Sequence, residues 1–407
     1  MSRDVFHRPK IAEAIATMVL DASPTSGYAS GLFLAAPRRT GKSTFLREDL
    51  RPQLEQHGAL VLYADLWEDR QADPGDVIVK CVRAELAKHA GVVAKLARSV
   101  GLEKVTVAGA LSMTLDRVGL GADVSIAAAL SELSDATQQP VVLIIDEAQH
   151  AITTPAGSNA LFALKAARDE LNSSRHHGLR VVATGSSRDK LAMLRNSRDQ
   201  AFYQAPLQNF PALGREYIEW LLNRVKLPVA LDVSLVYEQF VAAAHRPEIL
   251  TTALDALHFE PELDATNAPG RLRELVGEQV AELNRETLRV LHSLTPLQAA
   301  VLRVMAARGE RFAPFESATL AAYEAMLKGS GRPTTVNESA VQQALLVLQE
   351  RSLVWRAARG VYALEELSLT DLMRAEGMLD VPEGATTSPA PKGAAQSKAR
   401  RRAKKGS

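Results

Sequence analysis

Two stretches of the sequence place reactive side chains directly behind apolar runs. In "GLFLAAPRRTGKSTFL", residues 31–46, the apolar segment gives way to Pro37, Arg38, Arg39, Thr40, Gly41, Lys42, Ser43 and Thr44. A turn of this composition at the start of a helix offers backbone N–H groups, a positive helix terminus, a long-armed cation and a hydroxyl. That set can hold a chain of phosphates. Gly41 allows a backbone geometry and a close approach that a side chain would hinder. In "QQPVVLIIDEAQHA", Val141 to Ile145 precede two adjacent acids, Asp146 and Glu147. One carboxylate beside a phosphate-bound cation and another beside a water are the groups that phosphoryl hydrolysis needs.

These side chains need a scaffold that brings residues 42 and 146 together. "GLFLA" has the length and apolarity of a buried strand, and "STFLREDLRPQLEQHG" reads as a helix with Leu46, Leu50 and Leu54 spaced by four, Gly58 at its end and a kink at Pro52. The run 141–145 is apolar throughout rather than alternating, as expected of a central parallel strand covered on both faces. Ligands bind at the C-terminal ends of such strands. Further strands are expected at 59–67 and 179–184, with an edge strand within 202–210 and a helix over 159–172. Strands alternating with helices predict an α/β fold with a parallel sheet. Thr184, Gly185, Ser186 and Ser187 would then share the sheet edge with the two motifs.

The first stretch resembles a P-loop, or Walker A motif, with Ala36 in place of its first glycine, and the second resembles Walker B. The resemblance implies ATP as ligand, Lys42 on the β- and γ-phosphates, Ser43 and Asp146 on Mg²⁺, and Glu147 orienting the attacking water. At this level the chain resembles the AAA+/STAND group of P-loop ATPases, and among them the archaeal-type ATPases related to origin-recognition proteins. "VFHRP", "PRRTGKSTFL", "LYADLW", "IIDEAQ", "ATGSS" and "AHRPEIL" carry the likeness, over roughly residues 5–260. That likeness implies that Phe6 to Pro9, Arg8 included, lies near the adenine and that Ser186 is the sensor-1 residue. It implies that "AHRPEIL" opens sensor-2 or a Gly-x-Pro motif, placing Pro247 at the nucleotide with Ala244 or His245 where the glycine would stand. An arginine finger would come from Arg188, Arg195 or Arg198, with Arg198 favoured. Such a finger acts on a neighbouring subunit, so a nucleotide-dependent homo-oligomer is implied. Residues 86–130 read as an insertion with a packing role.

The C-terminal third reads as helices at 295–309, 317–327 and 337–353, then two β-rich runs around Ala358, Arg359 and Gly360. Thr295 and Pro296 suit a helix start, and Leu297, Ala300, Val301 and Val304 form one apolar face. Helix, helix, helix, hairpin is the winged-helix order, in which the third helix commonly enters the DNA major groove. Asn337, Ser339, Gln342 and Gln343 are the candidates for base edges; Arg351, Arg356 and Arg359 are the candidates for phosphates. The expected domains are a P-loop core (1–210), a helical lid (211–290), a winged helix (291–378) and a disordered basic tail (379–407).

Composition narrows the function. The net charge of +1 conceals seven Lys or Arg and no acid in residues 391–407, leaving 41 basic against 47 acidic residues elsewhere. Such a tail is attracted to nucleic acid or another polyanion. Cys81 is the single cysteine and can form no internal disulfide. No apolar run nears the roughly 20 residues of a membrane span, and the N-terminus lacks a signal-peptide core. The expectation is a cytoplasmic protein without membrane contact that hydrolyses ATP and acts on duplex DNA. The alternative is a nucleotide-gated signalling or scaffold protein whose C-terminal module binds protein. "DEAQH" is similar to a helicase "DEAH" box, but the second RecA-like domain that a helicase needs is absent. A nucleotide kinase lacks an acceptor site here.

Overall fold

The computed structural model describes residues 5–21, 23, 26–69, 71–99, 116, 118–120, 122–173, 175–186, 188–196, 200–309, 312–329, 336–358, 360–366 and 368–379. It divides into two compact units, up to Arg289 and from Val290. The first unit opens with α1 (Pro9–Leu20), β1 (Leu32–Ala35), α2 (Lys42–Phe45), a π turn (Leu46–Leu50), α3 (Arg51–Gln56) and β2 (Leu60–Asp65). It continues with α4 (Pro74–Leu86), α5 (Ala90–Ser99), α6 (Ile126–Thr137), β3 (Val141–Asp146) and a 3₁₀ turn (Ala148–Thr153). Then come α7 (Pro155–Leu171), β4 (Leu179–Gly185), α8 (Arg188–Ala192), β5 (Leu207–Asn209) and the helices α9 (Arg215–Leu222), α10 (Val233–Ala242), α11 (Pro247–His258) and α12 (Ala268–His292).

The five strands form one parallel sheet in the order β2-β3-β4-β1-β5. Alternate residues of each strand point to opposite faces. Val141, Leu143 and Ile145 join Phe33, Leu62 and Val181 under α4 to α7. Val142 and Ile144 join Leu32, Leu34, Val61 and Val182 under α1 and the helix that follows the P-loop. Covering on both faces explains why β3 shows no polar alternation. All five strands deliver their C-terminal ends to one edge. Ala35 faces Gly185 across the β1–β4 ladder, and Asp65 faces Asp146 across β2–β3. β5 is an edge strand as expected, although only three residues long.

Several elements differ from the sequence reading. The helix after the P-loop is interrupted before Pro52 by a π turn, with Arg51 N–H bonded back to the Leu46 carbonyl. Proline has no N–H for the next i→i−4 bond, and the wider turn carries Asp49 inward, where it is buried. α1, which the sequence reading did not identify, buries Ala12, Ile15, Ala16 and Val19 on the sheet. Within 86–130, Val92, Val93, Leu96 and Leu130 lie in the same core as β3, so the described part of that insertion packs. Residues 101–115 lie outside the described residues, as does the basic tail beyond Leu379. α9 to α12 surround their own apolar cluster of Tyr217, Ile218, Phe240, Leu250, Leu254, Leu272 and Val276.

The second unit contains α13 (Pro296–Arg308), α14 (Ser317–Gly329), α15 (Glu338–Glu350), an antiparallel hairpin of β6 (Val354–Ala358) and β7 (Val361–Leu364), and α16 (Ser368–Ala375). Thr295 and Gln298 form a reciprocal capping box at the start of α13. Val341, Ala344, Leu345 and Leu348 are buried, as are Ala300, Val301 and Val304, whereas Leu297 is half-buried. No helix among the described residues is long and apolar enough to cross a membrane.

The layer of helices over β3 is held by close backbone contact. A Cβ on Gly157, in the first turn of α7, would lie 2.2 Å from the Ala151 carbonyl oxygen. Gly157→Ala is expected to destabilise the first unit by about 1–3 kcal/mol through overpacking. Gly277→Ala, in open space on α12, should instead gain roughly 0.5–1 kcal/mol by lowering the entropy of the unfolded chain. Denaturant unfolding of both variants checks the pair.

Candidate functional site

The loop after β1 leaves the sheet beside β4, where Ala36 N–H bonds the Gly185 carbonyl at 3.0 Å. Arg39 and Gly41 both adopt left-handed backbone, with φ of 62° and 77°. Gly41 does so without cost, whereas Arg39 is strained. Thr40 is buried and its hydroxyl donates to the Pro37 carbonyl at 2.7 Å, tightening the loop on itself. Gly41 is the N-cap of α2, and no side chain caps that end. The N–H groups of the first turn are therefore free of side-chain competition and available to an anion.

Lys42 is buried, and its ammonium lies 3.1 Å from Asp146 Oδ1 and against Glu147 Oε1. Asp146 is the most heavily bonded group of the site. Oδ2 accepts from Ser43 Oγ at 2.6 Å and from the Tyr63 hydroxyl at 3.0 Å. Oδ1 accepts from the Thr184 hydroxyl and from Glu147 N–H at 3.0 Å. Burial pushes the Asp146 carboxyl up, but the Lys42 charge and the bonds from Ser43, Thr184 and Lys42 outweigh it and hold it below the usual carboxylate range. Beside it, burial and then the Asp146 charge push the Tyr63 phenol up. Arg47, which pairs with Asp65 at 2.9 Å, closes the outer side.

Glu147 turns the chain sharply, with φ of 54° in a residue that has a side chain. Such strain concentrates at functional positions. The turn folds Gln149 back beneath the sheet edge, where its amide donates to Glu147 Oε2 at 2.6 Å and reaches Ser186 Oγ at 3.4 Å. Burial again pushes Glu147 up, while Lys42 and Gln149 pull it below its ordinary value. The structure thus brings Lys42, Ser43, Asp146, Glu147 and Ser186 together. It adds Tyr63, Thr184 and Gln149. Tyr63 had been read only as part of a strand, and Gln149 had no assigned role. Thr184 had been one of four polar candidates, and it is the one that grips Asp146.

The remaining expected residues flank this cluster. Arg8 is buried between the Phe45 and Phe210 rings, at 5.0 and 4.3 Å, and donates to the Pro211 carbonyl at 2.9 Å. Burial pushes its guanidinium down to about 10, with Asp49 opposing. Phe6 packs edge-on to Tyr217 and Trp220 of α9. Pro247 is the first residue of α11, and the two candidates for the glycine position, Ala244 and His245, both adopt left-handed backbone, with φ of 54° and 55°. Arg246 pairs with Glu248 at 2.9 Å, and Glu248 also lies 3.7 Å from Arg39 of the P-loop. Arg38 lies over the Trp67 ring. Pro37 and Thr44 are exposed on the loop and on α2. Arg188 is bonded to Asn209 and Arg195 to Asn196. Arg198 lies outside the described residues.

The donor set fits a nucleotide with its cation. The uncapped turn at Gly41 to Thr44 and the arm of Lys42 suit phosphate oxygens. Among the described residues there is no group of three or more His, Cys, Asp or Glu side chains placed to hold a metal. A cation here would rest on Ser43, Asp146 and the phosphates themselves, the manner in which Mg²⁺ is usually held.

Residues 26–191 match the family model described as AAA domain. No curated protein matches the chain. Among solved structures, the ORC2 protein of Aeropyrum pernix in its ADP form aligns with a TM-score of 0.52 at 14% identity, covering 93% of this chain and 96% of that one. The Walker-type ATPase PABY2304 of Pyrococcus abyssi aligns at 0.49 and 17% identity, over 92% and 97% of the two chains. The Aeropyrum pernix ORC1 protein in complex with DNA aligns at 0.42 and 18%, over 92% and 93%. The first of these likenesses shows a shared fold. The matched residues 26–191 contain Lys42, Ser43, Asp146, Glu147 and Ser186, the cluster built above. The AAA domain match therefore takes in the whole of that cluster.

Proposed function

We propose that this protein is an ATPase of the AAA type that binds ATP with Mg²⁺, hydrolyses it through Glu147, and couples turnover to an action on duplex DNA in the cytoplasm. The observation that carries the reading is the single bonded cluster of Lys42, Ser43, Asp146 and Glu147 at the C-terminal edge of the sheet. On this reading Lys42 exchanges its carboxylate partners for the β- and γ-phosphates. Ser43 and Asp146 would hold Mg²⁺, which when bound would neutralise charge on the phosphates. Glu147, relieved of Lys42, accepts a hydrogen bond from the attacking water and orients it. Ser186, at the end of β4, faces the γ-phosphate or that water. Arg8 and Pro247 border the nucleotide from the two sides of the lid. An arginine from a neighbouring copy, with Arg198 first among the candidates, makes the active form a nucleotide-dependent homo-oligomer.

The DNA reading assigns the second unit as a winged helix with α15 as its recognition helix. Ser339 and Gln343 are exposed and Gln342 half-buried on α15, outside its buried stripe. Gln342 and Arg356 help line a cleft of about 740 Å³ with Glu338, Ser339, Gly360 and Tyr362. Asn337 is committed through its Oδ1 to capping α15, so only its amide N–H groups remain for a base edge. Arg351 is bonded to Ser293, and Arg359 lies outside the described residues. The basic residues of 391–407 supply sequence-independent attraction. One observation favours the alternative, a nucleotide-gated scaffold: α15 carries no Lys or Arg, and Leu346 and Val361 are 37% and 41% exposed. Those two side chains suit a protein partner.

Two measurements test this. Lys42→Ala should lose ATP binding by at least about tenfold, read by titration with a fluorescent ATP analogue. Glu147→Gln should retain binding while hydrolysis falls by roughly 10²–10⁴-fold. Normal binding by Lys42→Ala would overturn the site. For DNA, duplex affinity of the full chain should fall steeply with salt. Deleting residues 391–407 should reduce the slope of log K against log salt by up to about 6, the counterion release expected for seven cations. Failure of the full chain to bind any duplex at low salt would decide for the scaffold.

A further inference from the structure

Gln149 is fully buried beside Glu147, yet it is not packed as a core residue would be. Its amide nitrogen has two protons and two acceptors, Glu147 Oε2 at 2.6 Å and Ser186 Oγ at 3.4 Å. Among the described residues its carbonyl oxygen is buried without a hydrogen-bond partner, which costs stability. Leu or Met would fill the same volume without that cost. The space for the carboxamide exists because residue 185 is glycine. A Cβ there would lie 2.3 Å from Gln149 Oε1. The opposite amide orientation would set the carbonyl against the Glu147 carboxylate, so electrostatics fix the nitrogen toward Glu147.

We propose that Gln149 is a positioning residue for ATP hydrolysis. It holds Glu147 by Oε2, so that Oε1, the oxygen now bonded to Lys42, faces the attacking water once Lys42 turns to the phosphates. Through Ser186 it ties that orientation to the end of β4. The inference rests on Glu147 acting on the water, as proposed above. A carboxamide suits the role because it donates without titrating and leaves the charge of Glu147 unchanged. The strained φ at Glu147 and the cavity at Gly185 are then parts of one arrangement, which aims a carboxylate.

The test is steady-state hydrolysis by Gln149→Met, beside ATP-analogue binding and thermal melting. The expected result is a split between the two parameters: unchanged nucleotide affinity with kcat lower by about 10–100-fold, in a variant that melts as a folded protein. A kcat equal to that of the unaltered protein would overturn the proposal. Should Gln149→Met fail to fold, Gln149→Asn keeps the carboxamide but draws it back from Glu147 by one methylene. It should lower kcat without changing affinity, and full activity there would overturn the proposal too. Glu147→Gln separates the two levels. If that variant hydrolyses ATP normally, the reading of Glu147 itself fails. If it is inactive while Gln149→Met is fully active, only the role of Gln149 fails.

Discussion

The site depends on one buried carboxylate. Asp146 is 1% exposed, and a charge in that position is costly unless every lone pair is matched. Its donors come from separate parts of the chain: Ser43 and Lys42 from α2, Tyr63 from β2, Thr184 from β4, and the N–H of Glu147 from the turn that follows β3. Meeting that requirement fixes the registers of three strands. A slip of one residue in β4 would turn Thr184 away from Asp146, and with it the alternate set of Val182 and Leu34 contacts. Removing one partner from a buried pair costs about 3–5 kcal/mol, because the other charge is stranded. The catalytic geometry and the topology of the sheet are therefore conditions on each other.

What the sequence reveals follows from which of these donors are near one another in the chain. Lys42 and Ser43 sit within a contiguous turn, and Asp146 and Glu147 end an unbroken apolar run, so composition alone exposes them. Tyr63 stands inside "LVLYAD", where its ring serves the strand and only the hydroxyl serves the site. Its acceptor is 83 residues away. Gln149 lies two residues beyond Glu147, but its role depends on the left-handed turn there, and a glutamate gives no warning of positive φ. The π turn is hidden for a similar reason. Pro52 announces an interruption, but that the interruption carries Asp49 to His7 and to the Arg8 N–H depends on the path of the N-terminal strap. α1 is legible in its own pattern, since Pro9 opens it and Ala12, Ile15, Ala16 and Val19 recur at helical spacing on its buried face.

The helices α9 to α12 meet the P-loop region through two connections of different strength, one of them the N-terminal strap of Phe6 to Arg8. On one side the strap is firm: Phe6 sits among Tyr217 and Trp220, while Arg8 is sandwiched between Phe45 and Phe210. Cation–π contacts strengthen when desolvated, to about 2 kcal/mol each. On the other side the link is ionic and open to water. Arg39 meets Glu248 at 3.7 Å with its side chain 63% exposed, and such pairs are worth about 0–1 kcal/mol. Glu248 also holds Arg246. An anion placed between the P-loop and α11 would compete for both arginines at little cost, whereas the strap would keep its place. The aromatic contacts are thus the firmer of the two connections, and the ionic one is the more open to charge.

The costs of this arrangement collect at the sheet edge. Arg39 and Glu147 hold backbone that disfavours side chains, and Gln149 keeps a buried carbonyl without a partner among the described residues. Each is worth on the order of 1–3 kcal/mol, and none would persist in a marginal layer. They persist here because the strands beneath are clamped between two apolar faces. Val141, Leu143 and Ile145 lock one side, and Val142 and Ile144 the other, all at 1% exposure or less. A β3 with one wet face would have room to relax and would let Glu147 return to ordinary backbone, taking its carboxylate away from Lys42 and Gln149. The doubly covered strand is therefore more than a scaffold for the two acids, because its rigidity keeps Glu147 in a conformation that it would not choose alone.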